Sequence, residues 1–262
     1  KEGDADIQND IFWRDTDGNI IYSQGGGIFQ FGDTYYWYGV KYGEAEKYAK
    51  NPAAGPYSTD PSPEFVGVTC YTSKDLVSWE YEGLVVDREE VSKRTEMNNQ
   101  EVAWVGRLGV AKVGDKYALF VQHECPDEGN SLDGNIDTDQ FSKQVLVLTS
   151  DTPNGEFTWN QRINMKDYTG GTSNTGDQTV FTDDDGTSYL VYSYGSGRGR
   201  IFLSKIVAQE NGKIGLAPSH KIYQGSGREG NCMFKYNNKY YVCASDLYGW
   251  NASHAYYMVL DS

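Results

Sequence analysis

Phe31-Gly-Asp-Thr-Tyr-Tyr-Trp-Tyr38 is a tight-turn signal followed at once by an aromatic strand. The same combination returns in Val113-Gly-Asp-Lys-Tyr-Ala-Leu-Phe120, Asp183-Asp-Asp-Gly-Thr-Ser-Tyr-Leu-Val-Tyr192 and Tyr236-Asn-Asn-Lys-Tyr-Tyr-Val-Cys243. Asn, Asp and Gly tolerate the positive backbone angles of hairpin turns, and the flanking residues alternate with the two-residue period of a strand. A hairpin recurring at intervals of several tens of residues predicts a repeat architecture, the blades of a β-propeller. Each repeat has a second half in which another strand runs toward a Trp or its equivalent. It reads Val66-Gly-Val-Thr-Cys-Tyr-Thr-Ser-Lys-Asp-Leu-Val-Ser-Trp79 in the first copy and extends from Gln144 to Trp159 in the second. The third copy, Arg200-Ile-Phe-Leu-Ser-Lys-Ile-Val207, is looser, and the fourth, Tyr256-Tyr-Met-Val-Leu-Asp-Ser262, stops with the chain.

Composition agrees with an all-β reading. At 262 residues the chain is long enough for one large domain spanning residues 1–262, and Gly 30, Tyr 21 and Trp 6 suit dense turns and aromatic strands. No long 3.6-period apolar stretch is present, which argues against helices. The net charge of −14 repels phosphate backbones and argues against nucleic acid as a partner. No apolar run reaches membrane-spanning length, and the first ten residues are polar, so no signal peptide or anchor is read here. That is the pattern of a processed secreted, periplasmic or cell-surface protein. His123, His220 and His254 are too scattered for a metal-ligand pattern, so no metal or other cofactor is expected. Asp183-Asp184-Asp185-Gly186 resembles a calcium loop but falls on a hairpin turn, leaving a structural calcium ion as the alternative to a plain solvent-facing turn. If Asn237-Asn238 is a two-residue hairpin turn, the register sets Cys232 directly across from Cys243, as a strained cross-strand disulfide or as two packed, inert thiols.

A resemblance then becomes visible. Gln24-Gly-Gly-Gly-Ile-Phe-Gln-Phe-Gly-Asp-Thr-Tyr-Tyr-Trp-Tyr-Gly39, Cys70-Tyr-Thr-Ser-Lys-Asp-Leu-Val-Ser-Trp79, Asp177-Gln-Thr-Val-Phe-Thr-Asp-Asp-Asp-Gly186, Arg228-Glu-Gly-Asn-Cys-Met-Phe-Lys235 and Ser245-Asp-Leu-Tyr-Gly-Trp-Asn251 resemble, in order, the blade motifs of glycoside hydrolase family 43. The branch they most resemble holds the exo-β-1,3-galactanases. The resemblance implies a five-bladed β-propeller, of which about four blades are present in this chain, apparently truncated at the C-terminus. It implies inverting hydrolysis of terminal arabinofuranosyl, xylosyl or galactosyl residues, with an oligo- or polysaccharide as the partner.

Inverting hydrolysis needs a carboxylic acid to protonate the leaving oxygen and a base to activate water, the two about 6.5 to 9.5 Å apart. Glu229 is the candidate acid: it stands in Gly-Ser-Gly-Arg-Glu-Gly, too glycine-rich for an interior strand, where a ligand can approach the backbone closely. The resemblance places the general acid there; the alternative is a solvated loop glutamate. Asp177, also just before an inner strand, matches the family carboxylate that orients the acid, against a purely structural role in bracing its loop. The family's usual base is absent, because Gln24-Gly25-Gly26-Gly27 stands where an Asp is common. Glu101 is a possible substitute, or an exposed rim glutamate. Gln24, Glu101, Arg107, Gln122 and Trp250 are the candidate substrate contacts. Arg107 could clamp a substrate or brace a carboxylate, and Trp250 could stack on a sugar or pack between blades. Val40, Gly106 and Gln122 stand where galactanase-like sequences carry Glu, Glu and His, so the sugar could differ from β-1,3-galactan, an arabinofuranosyl group being the nearest rival. Two classes stay open: an exo-acting inverting glycosidase, and a non-catalytic glycan-binding propeller that has lost its base.

Overall fold

The four turns predicted at residues 32, 114, 186 and 237 each close a hairpin, and the hairpins assemble into four antiparallel sheets. The structure is a computed structural model that describes residues 7–9, 11–54, 65–92, 104–124, 144–169, 175–194, 196–248 and 252–261. Blade one is β1 (Gln24–Phe31), β2 (Thr34–Tyr42), β3 (Phe65–Ser73) and β4 (Glu80–Asp87). Blade two is β5 (Trp104–Val113), β6 (Lys116–Glu124), β7 (Gln144–Ser150) and β8 (Thr158–Asn164). Blade three is β9 (Thr175–Thr182), β10 (Ser188–Tyr194) and β11 (Arg200–Ala208), with β12 (Ile214–Leu216) and β13 (His220–Gln224) both pairing with β11. Blade four is β14 (Glu229–Tyr236), β15 (Lys239–Ser245) and β16 (Ala255–Leu260). The chain is therefore all-β, with four blades arranged as a β-propeller.

Turn chemistry explains the registers. Gly32, Gly114 and Gly186 sit at φ of 66°, 63° and 81°, and Asn237 and Asn238 at 49° and 59°. Two successive residues at positive φ make the turn whose twist matches its strands, and Asn is among the few side chains that accept it. Tyr236 then pairs with Lys239, and Cys232 falls opposite Cys243 as expected. Among the described residues three short α-helices depart from the all-strand expectation: α1 (Gly43–Lys50), α2 (Arg88–Ser92) and α3 (Lys166–Thr169). All lie in connections between strands, too short to leave a 3.6-residue apolar pattern.

Alternation gives each sheet two faces, and successive blades pack face to face. Tyr38, Val68, Leu108, Val110, Leu119, Leu146 and Phe157 fill the space between blades one and two. Phe120, Val145, Val147, Leu190, Tyr192 and Phe202 fill that between two and three. The layer between three and four is smaller, built on Phe181, Val191, Ile201, Val242 and Ala244. The inner strands follow one another around the channel, β1 on β5, β5 on β9 and β9 on β14. Gly109 makes one of these approaches possible, since a Cβ there would lie 2.5 Å from the Val180 backbone nitrogen. Among the described residues β16 has no further strand on its outer edge.

Candidate functional site

Every inner strand breaks its register near its first rung, after one residue pair in β1, β9 and β14 and after two in β5. Two residues face one in each blade: Gly25-Gly26 face Gly39, Gly106-Arg107 face Gln122, Gly176-Asp177 face Ser193, and Gly230-Asn231 face Ala244. Such bulges bend a strand and re-aim its side chains, which is why they gather at barrel rims and sites. Each begins with glycine, and Gly25 and Gly230 use φ of 67° and 66°. The bulges bring Arg107, Asp177 and the backbone beside Glu229 to one end of the inner strands.

Asp177 lies at the centre. Its Oδ2 accepts a hydrogen bond from the Gly230 backbone N–H at 2.7 Å and faces Arg107 Nε at 3.5 Å. Its own carbonyl accepts from Asn231 Nδ2 at 2.9 Å and from Ser193 Oγ at 3.4 Å. The carboxylate of Asp177 is thus tied to the peptide that follows Glu229, and its side chain is only 14 % exposed. Charge-assisted bonds of this kind fix orientation as well as position.

Glu229 opens β14, pairs with Ser245, and has Arg198 Nε 3.8 Å from its Oε2. Its side chain is 20 % exposed, partly sheltered from solvent. Arg198 was not singled out from the sequence, where its signal is only the glycine-rich stretch of residues 195–199. It sits at φ 48°, its carbonyl accepts the Arg228 N–H at 2.9 Å, and its guanidinium lies over Gly176, where a Cβ would be 2.1 Å from Nη1. One glycine therefore admits both the bulge and the arginine. Arg228 in turn pairs with Asp246 at 2.7 Å and lies 3.9 Å from the Tyr256 ring centroid, bracing the entry to β14 from the far side.

The remaining candidates divide. Arg107 braces a carboxylate, and its Cδ packs where a Cβ on Gly25 would be 3.5 Å away. The space opposite the blade-one bulge is thus filled by an arginine. Gln122 is 1 % exposed on β6, directly opposite the Gly106-Arg107 bulge. Gln24 is half-buried at the start of β1 and lines a separate cleft with Trp13, Tyr22, Trp37, Val40 and Tyr42, rather than joining the Asp177 cluster. Glu101 and Trp250 lie outside the described residues. Sequence reasoning also passed over Gln178, next to Asp177, which is 2 % exposed with no hydrogen-bond partner for its amide among the described residues. The Asp183 turn is engaged by protein groups: Lys235 Nζ lies 2.9 Å from Asp183, and Tyr240 donates to it at 2.5 Å.

The description "Glycosyl hydrolases family 43" carries a sequence model that matches residues 27–261, nearly the whole chain. The chain belongs to glycosyl hydrolase family 43. An exo-beta-1,3-galactanase from Clostridium thermocellum is 27 % identical to this family 43 chain at a TM-score of 0.71, covering 98 % of this chain and 49 % of that one. An exo-beta-1,3-galactanase from Phanerochaete chrysosporium, solved with beta-1,3-galactotriose, has a TM-score of 0.70 at 23 % identity, covering 96 % of this chain and 50 % of its own, which speaks for the fold. A xylan 1,3-beta-xylosidase from a Vibrio species is 25 % identical over 191 residues, 70 % of this chain and 32 % of that protein. This family 43 chain thus spans about a third of the xylosidase and about half of each galactanase.

Proposed function

We propose that this chain carries the catalytic propeller of an exo-acting inverting glycoside hydrolase that removes terminal galactosyl residues from β-1,3-linked galactan of plant polysaccharide. The observation that supports the reading is the hydrogen bond from the Gly230 amide to the Asp177 carboxylate, which ties that partly sheltered carboxylate to the peptide that follows Glu229. In this reading Glu229 donates its proton to the leaving glycosidic oxygen as the bond to the anomeric carbon breaks. Asp177, held by Arg107 and by Gly230, fixes the strand entry from which Glu229 projects. Water attacks from the opposite face, activated by a group that the residues described leave unassigned. Galactosyl is favoured over arabinofuranosyl by the Clostridium likeness; the α-L-arabinofuranosidase likeness, at 20 % identity and a TM-score of 0.53, speaks for the fold alone. A polymeric substrate places the enzyme outside the cytoplasm.

One observation favours a second reading, a propeller that binds glycan without cleaving it. The blade-one bulge is Gly25-Gly26 with Arg107 against it, so no carboxylate stands there. Galactose release from β-1,3-galactan separates the two readings. The hydrolase reading expects free galactose whose first-formed anomer is inverted, seen by proton NMR, and release slowed on the order of 10²- to 10⁴-fold by Glu229→Gln. Retained binding of galacto-oligosaccharide with no release by the unmodified protein overturns it in favour of the binding module. Release of arabinose instead overturns the choice of sugar.

A further inference from the structure

The backbone on both sides of Glu229 is fastened to blade three. On one side the Arg228 N–H donates to the Arg198 carbonyl at 2.9 Å, and on the other the Gly230 N–H donates to Asp177 Oδ2 at 2.7 Å. Residues 196–199, the turn between β10 and β11, grip the approach to β14 twice, since the Gly225 N–H also donates to the Gly199 carbonyl at 2.9 Å. Glycine permits this approach: a Cβ on Gly227 would lie 2.3 Å from the Gly197 carbonyl oxygen. The side chain of the same turn reaches further. Arg198 Nε lies 3.8 Å from Glu229 Oε2, while Nη1 is buried over Gly176 with no hydrogen-bond partner among the described residues. A partly buried charge is costly unless an opposite charge faces it, and here the facing group is the Glu229 carboxyl. Two neighbouring arginines are committed to other carboxylates, Arg107 to Asp177 at 3.5 Å and Arg228 to Asp246 at 2.7 Å.

We propose that Arg198 is a positioning residue for Glu229, its guanidinium holding the carboxyl in the orientation from which the proton is given. The inference rests on the reading of Glu229 as proton donor. As that proton passes to the leaving glycosidic oxygen, the bond from this oxygen to the anomeric carbon breaks and Glu229 is left as a carboxylate. Water adds to the anomeric carbon and gives its own proton to the group that activates it. The fixed positive charge of Arg198 stabilises the carboxylate as it forms. Arg198 thus acts through Glu229 and needs no contact with the sugar. Gly176 is the condition for this placement, because a Cβ there would stand 2.1 Å from Nη1 and 3.2 Å from Cδ. The blade-three bulge that aims Asp177 therefore also makes room for the arginine that aims Glu229.

The test compares Arg198→Met, which removes the charge, with Arg198→Lys, which keeps it. Both replacements are unbranched and sit at the same backbone angle, φ 48°, so the strain of the turn is common to them. Each is assayed on a β-1,3-galacto-oligosaccharide and on an activated aryl galactoside, alone and combined with Glu229→Gln. Arg198→Met is expected to lower kcat on the oligosaccharide on the order of 10- to 10²-fold with KM little changed, and to slow the aryl substrate far less. Arg198→Lys is expected to recover most of that loss. In the Glu229→Gln background Arg198→Met is expected to add no further loss, because the donor it positions is gone. Urea midpoints of the same single and double variants read the pairing without turnover, and they are expected to be non-additive. Equal losses on both substrates, a Lys variant no better than the Met variant, or losses that multiply in the double variant would overturn the positioning role while leaving Glu229 as donor. A Glu229→Gln protein with no leaving-group dependence would instead overturn the donor reading, and additive urea midpoints would overturn the pairing of Arg198 with Glu229 in either case.

Discussion

At the scale of single residues, His123 shows how a side chain outside the proposed chemistry governs response to acid. It is fully buried on β6 beside Gln122, with no hydrogen-bond partner for either ring nitrogen among the described residues. Burial, then the positive charge of Arg162, push its pKa down from 6.5 to about 3. Above pH 6.5 the ring is neutral in both folded and unfolded chains and contributes no pH dependence. Below 6.5 the unfolded chain takes up a proton that the folded one refuses, so stability falls as the pH drops toward 3, by about 1.4 kcal/mol per unit. Urea melts between pH 6.5 and 5 are expected to show this slope, and His123→Gln to remove it; an unchanged slope in the variant contradicts the assignment. Among the residues gathered at this end, Glu229, Asp177 and Arg107 were singled out in the sequence by the family resemblance together with the glycines beside them. Arg198 and Asn231 were not, because their roles rest on a turn at positive φ and a bulge that pairing alone reveals.

At the scale of elements, the repeated bulge is the device that turns a sheet into a site. Gly230 is its most exacting member, with φ 66° and an N–H committed to Asp177. Gly230→Ala is expected to cost about 1–2 kcal/mol for a left-handed alanine, read from urea midpoints, and to lower activity further by shifting that amide. A variant of unchanged stability would mean the bulge is not held in this geometry. The hairpin turn offers a contrast: Asn238→Gly keeps positive φ available and is expected to be neutral or mildly stabilising, whereas Asn238→Val destabilises by a similar 1–2 kcal/mol. The turns were readable in the sequence as turn residues ahead of aromatic strands. The bulges were half-readable, since the glycines that open them recur at inner-strand entries but nothing in their order shows two residues facing one.

At the scale of the molecule, the four-blade arrangement followed from turn recurrence, whereas the cover of blade one did not. Residues 11–22 lie along its outer side, with the Thr16 N–H on the Trp79 carbonyl at 2.9 Å, Trp13 edge-on to Trp37 at 5.6 Å, and the Tyr22 carbonyl accepting from Thr69 Oγ1 at 2.7 Å. This segment has no strand period to announce it, because its contacts are single aromatic anchors and backbone bonds. Removing residues 1–22 is expected to expose Trp37 and lower the melting temperature by several degrees. An unchanged melting curve would show that the segment adds nothing to the fold. The central claim, that this propeller brings Glu229 to a glycosidic oxygen as its proton donor, is tested most directly by leaving-group dependence. The kcat/KM of Glu229→Gln is compared with that of the unmodified protein on a β-1,3-galacto-oligosaccharide and on an activated aryl galactoside. The account predicts a loss on the order of 10²- to 10⁴-fold for the oligosaccharide, whose leaving alcohol needs a proton, and a far smaller loss for the aryl substrate. Equal losses on both substrates, or none on either, would contradict it.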